Sequence, residues 1–184
     1  LGTNVAYGAS FSPDSSQIAY SQQSFSSKAY AGTLYAGSLT DWAQRTTLLS
    51  SAMAPVWGPA GIAATRYRNV VVRMGGHRMR MVQTQVWTVQ PSGTGAAQLT
   101  HYRASGLTSG PSAGVWTPSG NMIVGDISGT DQGDLATFAV PGGATKVLNK
   151  TTISGPVAVS TDGQRVLLNS GMDGSDVAIK VIGI

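Results

Sequence analysis

One pattern recurs four times along this chain: an apolar strand, a tight turn of Pro, Asp, Ser or Gly, and a second apolar strand. It reads Ala-Ser-Phe-Ser-Pro-Asp-Ser-Ser-Gln-Ile-Ala-Tyr over 9–20 and Pro-Val-Trp-Gly-Pro-Ala-Gly-Ile-Ala-Ala over 55–64. It returns as Gly-Val-Trp-Thr-Pro-Ser-Gly-Asn-Met-Ile-Val over 114–124 and Val-Ala-Val-Ser-Thr-Asp-Gly-Gln-Arg-Val-Leu-Leu over 157–168. The equivalent positions Phe11, Trp57, Trp116 and Val159 are 46, 59 and 43 residues apart. Pro13, Pro59 and Pro118 pre-set φ for a turn, and Gly61, Gly120 and Gly163 tolerate positive φ at its exit. A chain built this way makes one supersecondary unit several times and buries each copy against the next.

A third strand follows in each repeat, rich in β-branched and aromatic residues: Thr33–Ala36, Gln85–Val89, Leu135–Val140 and Val177–Val181. Short fourth strands are expected near Leu48-Leu49, Gln98–Thr100 and Lys146–Leu148, whereas the fourth repeat stops at Ile184 before one. Four antiparallel strands repeating about every 45 residues are the signature of β-propeller blades, here 8–51, 52–104, 110–150 and 154–184. The expected fold class is therefore all-β, a propeller of about four blades in one domain. A β-sandwich also uses short, regularly spaced strands, but does not require the same four-part order in every repeat. Composition agrees: the chain has no Glu, only four Lys and 24 Gly, which disfavours a helical bundle, and 41% hydrophobic content disfavours disorder.

The net charge of +4 is unevenly placed. Up to residue 122 there are eight basic and two acidic residues; beyond it, four basic and six acidic. The basicity thus belongs to one segment rather than to a continuous stripe, which argues against a nucleic-acid partner. With no Cys there is no disulfide framework, and no apolar run is long enough for a membrane span. The chain starts at Leu1 with the pattern under way by Ser10, as expected of a processed protein or a piece of a longer one.

These repeats resemble TolB-like β-propellers, bacterial envelope proteins whose blades carry a Ser-Pro-Asp-Gly type turn after an aromatic strand. The stretch from Pro55 to Thr100, with Val-Trp-Gly-Pro-Ala-Gly-Ile-Ala, Arg-Tyr-Arg and Val-Trp-Thr-Val-Gln-Pro-Ser-Gly-Thr-Gly, looks especially like actinobacterial members. Departures are Ser15 in place of Gly, Ala60 in place of Asp, and Val159 in the aromatic position. The resemblance implies an extracytoplasmic location (periplasm, cell envelope or secreted) and a ring of six blades, of which four form the greater part. A chain of four blades would have to close as a small ring or cover its open edges by self-association. Residues 1–7 could donate a closing strand to the last blade, or link to an earlier one.

In such blades the loops between second and third strands share one face of the disc with the inter-blade connections, here at 22–32, 66–84, 126–134 and 170–176. The second is enlarged and holds Arg66, Arg68, Arg73, His77, Arg78 and Arg80 with Met74, Met79 and Met81. The third and fourth hold Asp126, Asp131, Asp134, Asp173 and Asp176. Together they read as a charged rim for a protein or peptide partner. Long solvated loops also carry charge for solubility alone, so the two readings stand side by side.

Other patterns point less far. Asp126 to Asp134 alternates oxygen ligands but lacks the Glu and Gly spacing of a calcium loop, so no metal is assigned. Gly110-Pro-Ser112-Ala-Gly114 matches a nucleophile elbow, yet a strand follows it and both histidines, His77 and His101, precede it. No catalytic residue and no cofactor is therefore expected. Trp57, Trp87 and Trp116 are assigned to inter-blade packing, with Trp42 outside that pattern. The functional expectation is a non-enzymatic scaffold. The alternatives are a gating propeller of a peptidase or hydrolase whose catalytic domain lies elsewhere, and a propeller that binds sugars or small ligands.

Overall fold

A computed structural model describes residues 4–26, 29–41, 43–103, 109–128, 133–150, 153–170 and 178–184. These form fifteen strands in four antiparallel meanders. The first sheet is β1 (Asn4–Phe11), β2 (Gln17–Ser26), β3 (Ala29–Ser38) and β4 (Arg45–Ser50). The second is β5 (Ala52–Gly58), β6 (Gly61–Met74), β7 (His77–Val89) and the two-residue β8 (Ala97–Gln98). The third is β9 (Gly110–Trp116), β10 (Met122–Ser128), β11 (Gly133–Ala139) and β12 (Thr145–Lys150). The fourth has β13 (Ile153–Val159), β14 (Arg165–Ser170) and β15 (Ala178–Gly183), and no fourth strand among the described residues. The order is sequential in every sheet, as in a propeller of about four blades. Among the described residues no helix is long and apolar enough to cross a membrane.

The repeated turns form as their chemistry dictates. Ser12, Thr117 and Ser160 each donate a backbone N–H across the turn, to Gln17, Met122 and Arg165 carbonyls at 2.9 Å. Asp14 accepts from the Ser12 hydroxyl at 2.6 Å and from the Ser16 N–H at 3.1 Å; Asp162 accepts likewise from Ser160 and from the Gln164 N–H. These bonds hold both carboxyls below the usual carboxylate range, the serine hydroxyls acting most strongly. Ser15, Gly120 and Gly163 occupy one position with φ of 58, 69 and 71°, so Ser15 adopts a conformation that its neighbours in the series leave to glycine. The second turn is shorter: Gly58 pairs directly with Gly61, leaving only Pro59 and Ala60 between them.

The core lies between the sheets rather than within any one of them. Leu34, Leu49, Ile62 and Val89 fill the first interface; Val86, Trp116, Ile123 and Phe138 the second; Val124, Leu135, Val166 and Leu168 the third. Two glycines make the close approaches possible. An ideal Cβ on Gly58 would fall 2.2 Å from Cγ of Trp116, whose Nε1–H reaches across to the Val56 carbonyl at 2.9 Å. One on Gly114 would fall 2.2 Å from Pro156 of the next sheet.

Two expectations are corrected. Residues 66–84 are not a loop. β6 and β7 remain paired without a break from Ile62↔Val89 to Met74↔His77, and Gly75-Gly76 make the turn, with φ of 55 and 83°. Gly-Gly supplies the two positive φ values of a tight hairpin turn, and the flanking Val and Met residues favour extended backbone. Residues 4–6 do not close a ring: Asn4, Val5 and Ala6 pair with Ser24, Gln23 and Gln22 inside the first sheet.

Candidate functional site

The innermost strand of every sheet lines a common space. A cavity of about 350 Å³ is bordered by Gly8 and Ala9 of β1, Ala54 and Pro55 of β5, Ser112 and Gly114 of β9, and Pro156 of β13. Small side chains at these positions leave the space between the strands unfilled. Asp126 of β10 also borders the cavity, half-buried, and accepts a hydrogen bond from the Ser112 hydroxyl. The sequence reading missed this space. Its signal was the run of small residues ahead of each aromatic position: Gly8-Ala9, Ala54-Pro55, Ser112-Ala113-Gly114 and Gly155-Pro156.

Ser112 therefore sits mid-strand with an aspartate partner, not on a strand-to-helix elbow. No group of three or more potential metal ligands occurs among the described residues. Asp131, Asp173 and Asp176 lie outside the described residues, as does Trp42. Asp134 is half-buried at the start of β11, with Ile127 and Lys150 as its register partners.

The arginines divide into two groups. At the root of the β6–β7 hairpin, the Arg66 guanidinium lies 4.5 Å over the Trp87 ring and its Nε donates to the Ser50 carbonyl at 3.1 Å. Arg68 Nε donates at 2.9 Å to Gln83 Oε1. Gln83 in turn belongs to a buried polar network. Gln83 and Gln85 side-chain N–H groups donate to the Tyr102 carbonyl at 2.7 and 2.5 Å, and Gln85 Oε1 accepts from Thr100 Oγ1 and the Tyr102 N–H. That network pins the connection after the second sheet to β7 and fixes the base of the hairpin. On the other side the Tyr67 hydroxyl accepts from the Gly32 N–H of the first sheet, and burial pushes its phenol pKa up. Arg73, His77, Arg78 and Arg80 stand beyond this base, exposed on the hairpin. His101 is exposed on the inter-sheet connection.

The tryptophans do structural work. Trp116 is buried between the second and third sheets, and Trp57 and Trp87 pack on the cluster between the first and second. Phe11, at the position of Trp57 and Trp116, is 60% exposed because no described sheet lies in front of it.

No protein-family model and no curated protein matches the chain. Solved structures do. TolB from Acinetobacter baumannii superposes with a TM-score of 0.63 at 19% identity, over 98% of this chain and 42% of its own. A nidogen/laminin complex matches with a TM-score of 0.62 at 12% identity, over 91% of this chain and 57% of that one. The β-propeller domain of the trilobed protease from Pyrococcus furiosus, described as having an open velcro topology, gives 0.54 at 12% identity, over 100% and 72%. The chain thus spans about half the length of the first two. Likeness at such identities speaks to fold alone, and with the four sequential meanders it identifies the fold as a β-propeller similar to that of TolB.

Proposed function

We propose that this chain is a non-enzymatic, extracytoplasmic propeller scaffold that takes a protein or peptide partner at the face where the axial cavity opens. The observation that carries the reading is the cavity itself. Inner strands of all four sheets meet there through small residues, leaving backbone accessible and one carboxylate, Asp126, on the wall. Such a space suits an extended segment better than a compact substrate. Arg73, His77, Arg78 and Arg80 on the hairpin supply a positive field that speeds encounter with an acidic partner. Arg66, Arg68, Asp126, Asp131, Asp134, Asp173 and Asp176 are assigned to the same charged rim from their places in the sequence. The nidogen/laminin match shows this fold inside a protein complex.

The test is a photo-crosslinking amino acid placed at Ala9, on the cavity wall, and at Thr145, exposed on the outer strand β12. In source cells the cavity position is expected to give a discrete protein adduct that the outer position does not. Equal adducts, or none at Ala9, would refute the scaffold reading. With the captured partner in hand, replacing Arg73, Arg78 and Arg80 by Ala should slow association about tenfold at low salt and little at high salt.

The second reading, a gating propeller beside a catalytic domain, is favoured by the likeness to the trilobed protease propeller over the whole of this chain. A hydrolase domain encoded in the same full-length protein, and peptide adducts in place of a folded partner at Ala9, would select it.

A further inference from the structure

The distal part of the β6–β7 hairpin has a property that steering does not require. Beyond Arg68 and Gln83 no third strand accompanies it among the described residues: β5 leaves β6 at Arg66, and the last bond on the other side joins Thr84 N–H to Ser109 O. At strand rise, residues 68–74 project roughly 20 Å from the sheet. The uninterrupted register sorts side chains onto two faces. One face carries Val70, Val72, Met74, Met79 and Met81, with His77 opposite Met74 beside the turn; the other carries Arg73, Arg78 and Arg80 with Asn69, Val71 and Val82. Met74, Met79 and Val71 are exposed, and none of the apolar residues joins an interior cluster. The side chains of Arg73, Arg78 and Arg80 make no ion pair or hydrogen bond among the described residues, and the sequence holds no acidic residue between Asp41 and Asp126.

We propose that this hairpin is a membrane-surface element: its valine and methionine face lies in the interface of an anionic bilayer while Arg73, Arg78 and Arg80 reach the headgroup phosphates. An amphipathic element whose charged side chains are all basic has the chemistry of interfacial binding. Arginine stems are long enough to bend round a two-stranded ribbon toward the phosphates. A protein groove is the lesser fit. Between its base and His77 beside the turn, the apolar face offers no aromatic anchor and no hydrogen-bonding side chain for a partner to read, only flexible and branched aliphatic groups that a fluid acyl boundary accepts equally well. The hairpin would hold the disc at the bilayer and leave the axial cavity free for its partner, so the inference goes beyond the scaffold reading, which rests on the cavity and uses the same arginines only to speed encounter.

The experiment is co-sedimentation of the full chain with vesicles of phosphatidylcholine alone and of phosphatidylcholine mixed with phosphatidylglycerol. Binding is expected only to the mixed vesicles and is expected to fall with added salt. Each arginine near an anionic leaflet is worth about a factor of five in partitioning, so replacing Arg73, Arg78 and Arg80 by Ser lowers it on the order of a hundredfold. Val72→Ser with Met79→Ser, at unchanged charge, lowers it at least about tenfold. Far-ultraviolet circular dichroism of both variants checks that the sheets persist. Equal binding to both lipids, no binding to either, or charge-dependent binding indifferent to the Val72 and Met79 changes would each overturn the proposal. The last outcome would hand the hairpin to a soluble acidic partner. Crosslinking at Ala9 does not depend on any of these results, so failure here leaves the scaffold reading standing, and the reverse.

Discussion

Gly58→Ala offers a measured test of how the sheets are held together. Gly58 has no positive φ, so the backbone accepts alanine and the substitution adds one methyl group without conformational strain. That methyl would lie 2.2, 2.3 and 2.6 Å from three atoms of the Trp116 indole, inside any tolerable contact. The ring is buried between two sheets and must shift as a body, since the contact involves its rigid bicyclic part rather than a flexible end. Overpacking of this kind costs about 1–3 kcal/mol. The shift also pulls Nε1–H from the Val56 carbonyl, at about 1–2 kcal/mol for a donor left half-satisfied. Together the loss is about 2–5 kcal/mol, or with a urea slope of about 2 kcal/mol/M, a midpoint lower by about 1–2.5 M.

Urea unfolding followed by tryptophan fluorescence reads this directly, and a double-mutant cycle gives the cause. Trp116→Val alone should destabilise by about 2–4 kcal/mol through the space it vacates. In the Gly58→Ala background it should cost far less, because the clash disappears with the ring; Val159 already fills the equivalent position in the fourth sheet. A coupling of about 1–3 kcal/mol is expected. Strict additivity, or a Gly58→Ala midpoint within experimental scatter of the parent, would show that the second and third sheets are not locked through this contact.

Ser15→Gly should raise stability by about 0.5–1 kcal/mol: relief of about 1–2 kcal/mol at φ 58° exceeds the added freedom of the unfolded chain. A lower urea midpoint would contradict it. Gln85→Leu removes the acceptor of the Thr100 hydroxyl and of the Tyr102 N–H and leaves the Tyr102 carbonyl to Gln83, and should cost about 2–4 kcal/mol with faster hydrogen exchange at the hairpin base; unchanged exchange there would refute the pinning role. Asp14 and Asp162 titrate below the ordinary carboxylate range, so their contribution to the turns is present above the unfolded-chain pKa and lost as pH falls through the lowered folded values. The Ser16 and Gln164 amide resonances should move together in that acid window; shifts centred at or above the ordinary value would count against it. If the exposed Phe11 of the leading sheet face meets Ile179 and Val181 of the trailing face, 72% and 62% exposed, light scattering should show mass rising above 18.9 kDa with concentration, and Ile179→Asn should abolish the rise. A concentration-independent monomer would exclude pairing between copies.

Much of the fold was legible because the signals for it are local and repeated. Pro, Asp and Gly at fixed offsets specify a turn whatever surrounds them, and four recurrences multiply the evidence. The enlarged second repeat hides a hairpin under its charge: Gly75-Gly76 between Val-Val-Val-Arg-Met and His-Arg-Met-Arg-Met is a tight-turn signal, and Arg78 and Arg80 alternate with Met79 and Met81 at period two. The axial cavity was harder to see. It depends on residues from four sheets that meet only after folding, and small residues announce a space only once their distance from the axis is known.

Phe11 shows where a sequence rule meets its physical limit. Its position in the repeat equals that of Trp57 and Trp116, and its residue class is the same, so local reasoning assigns all three to the interior. Trp116 is buried because Gly58 of the preceding sheet gives it a floor and Val56 gives its N–H an acceptor. Phe11 has no described sheet in front of it and is 60% exposed. Burial in a propeller is thus a property of pairs of blades, not of a blade: each repeat encodes one half of an interface and relies on its neighbour for the other. The same logic makes β6–β7 informative. Its inner half is buried on both faces by adjoining sheets, and its outer half, with the same alternation, has outrun them; among the described residues no neighbouring blade answers the apolar stripe that continues past Arg68, which is available to a surface outside the protein.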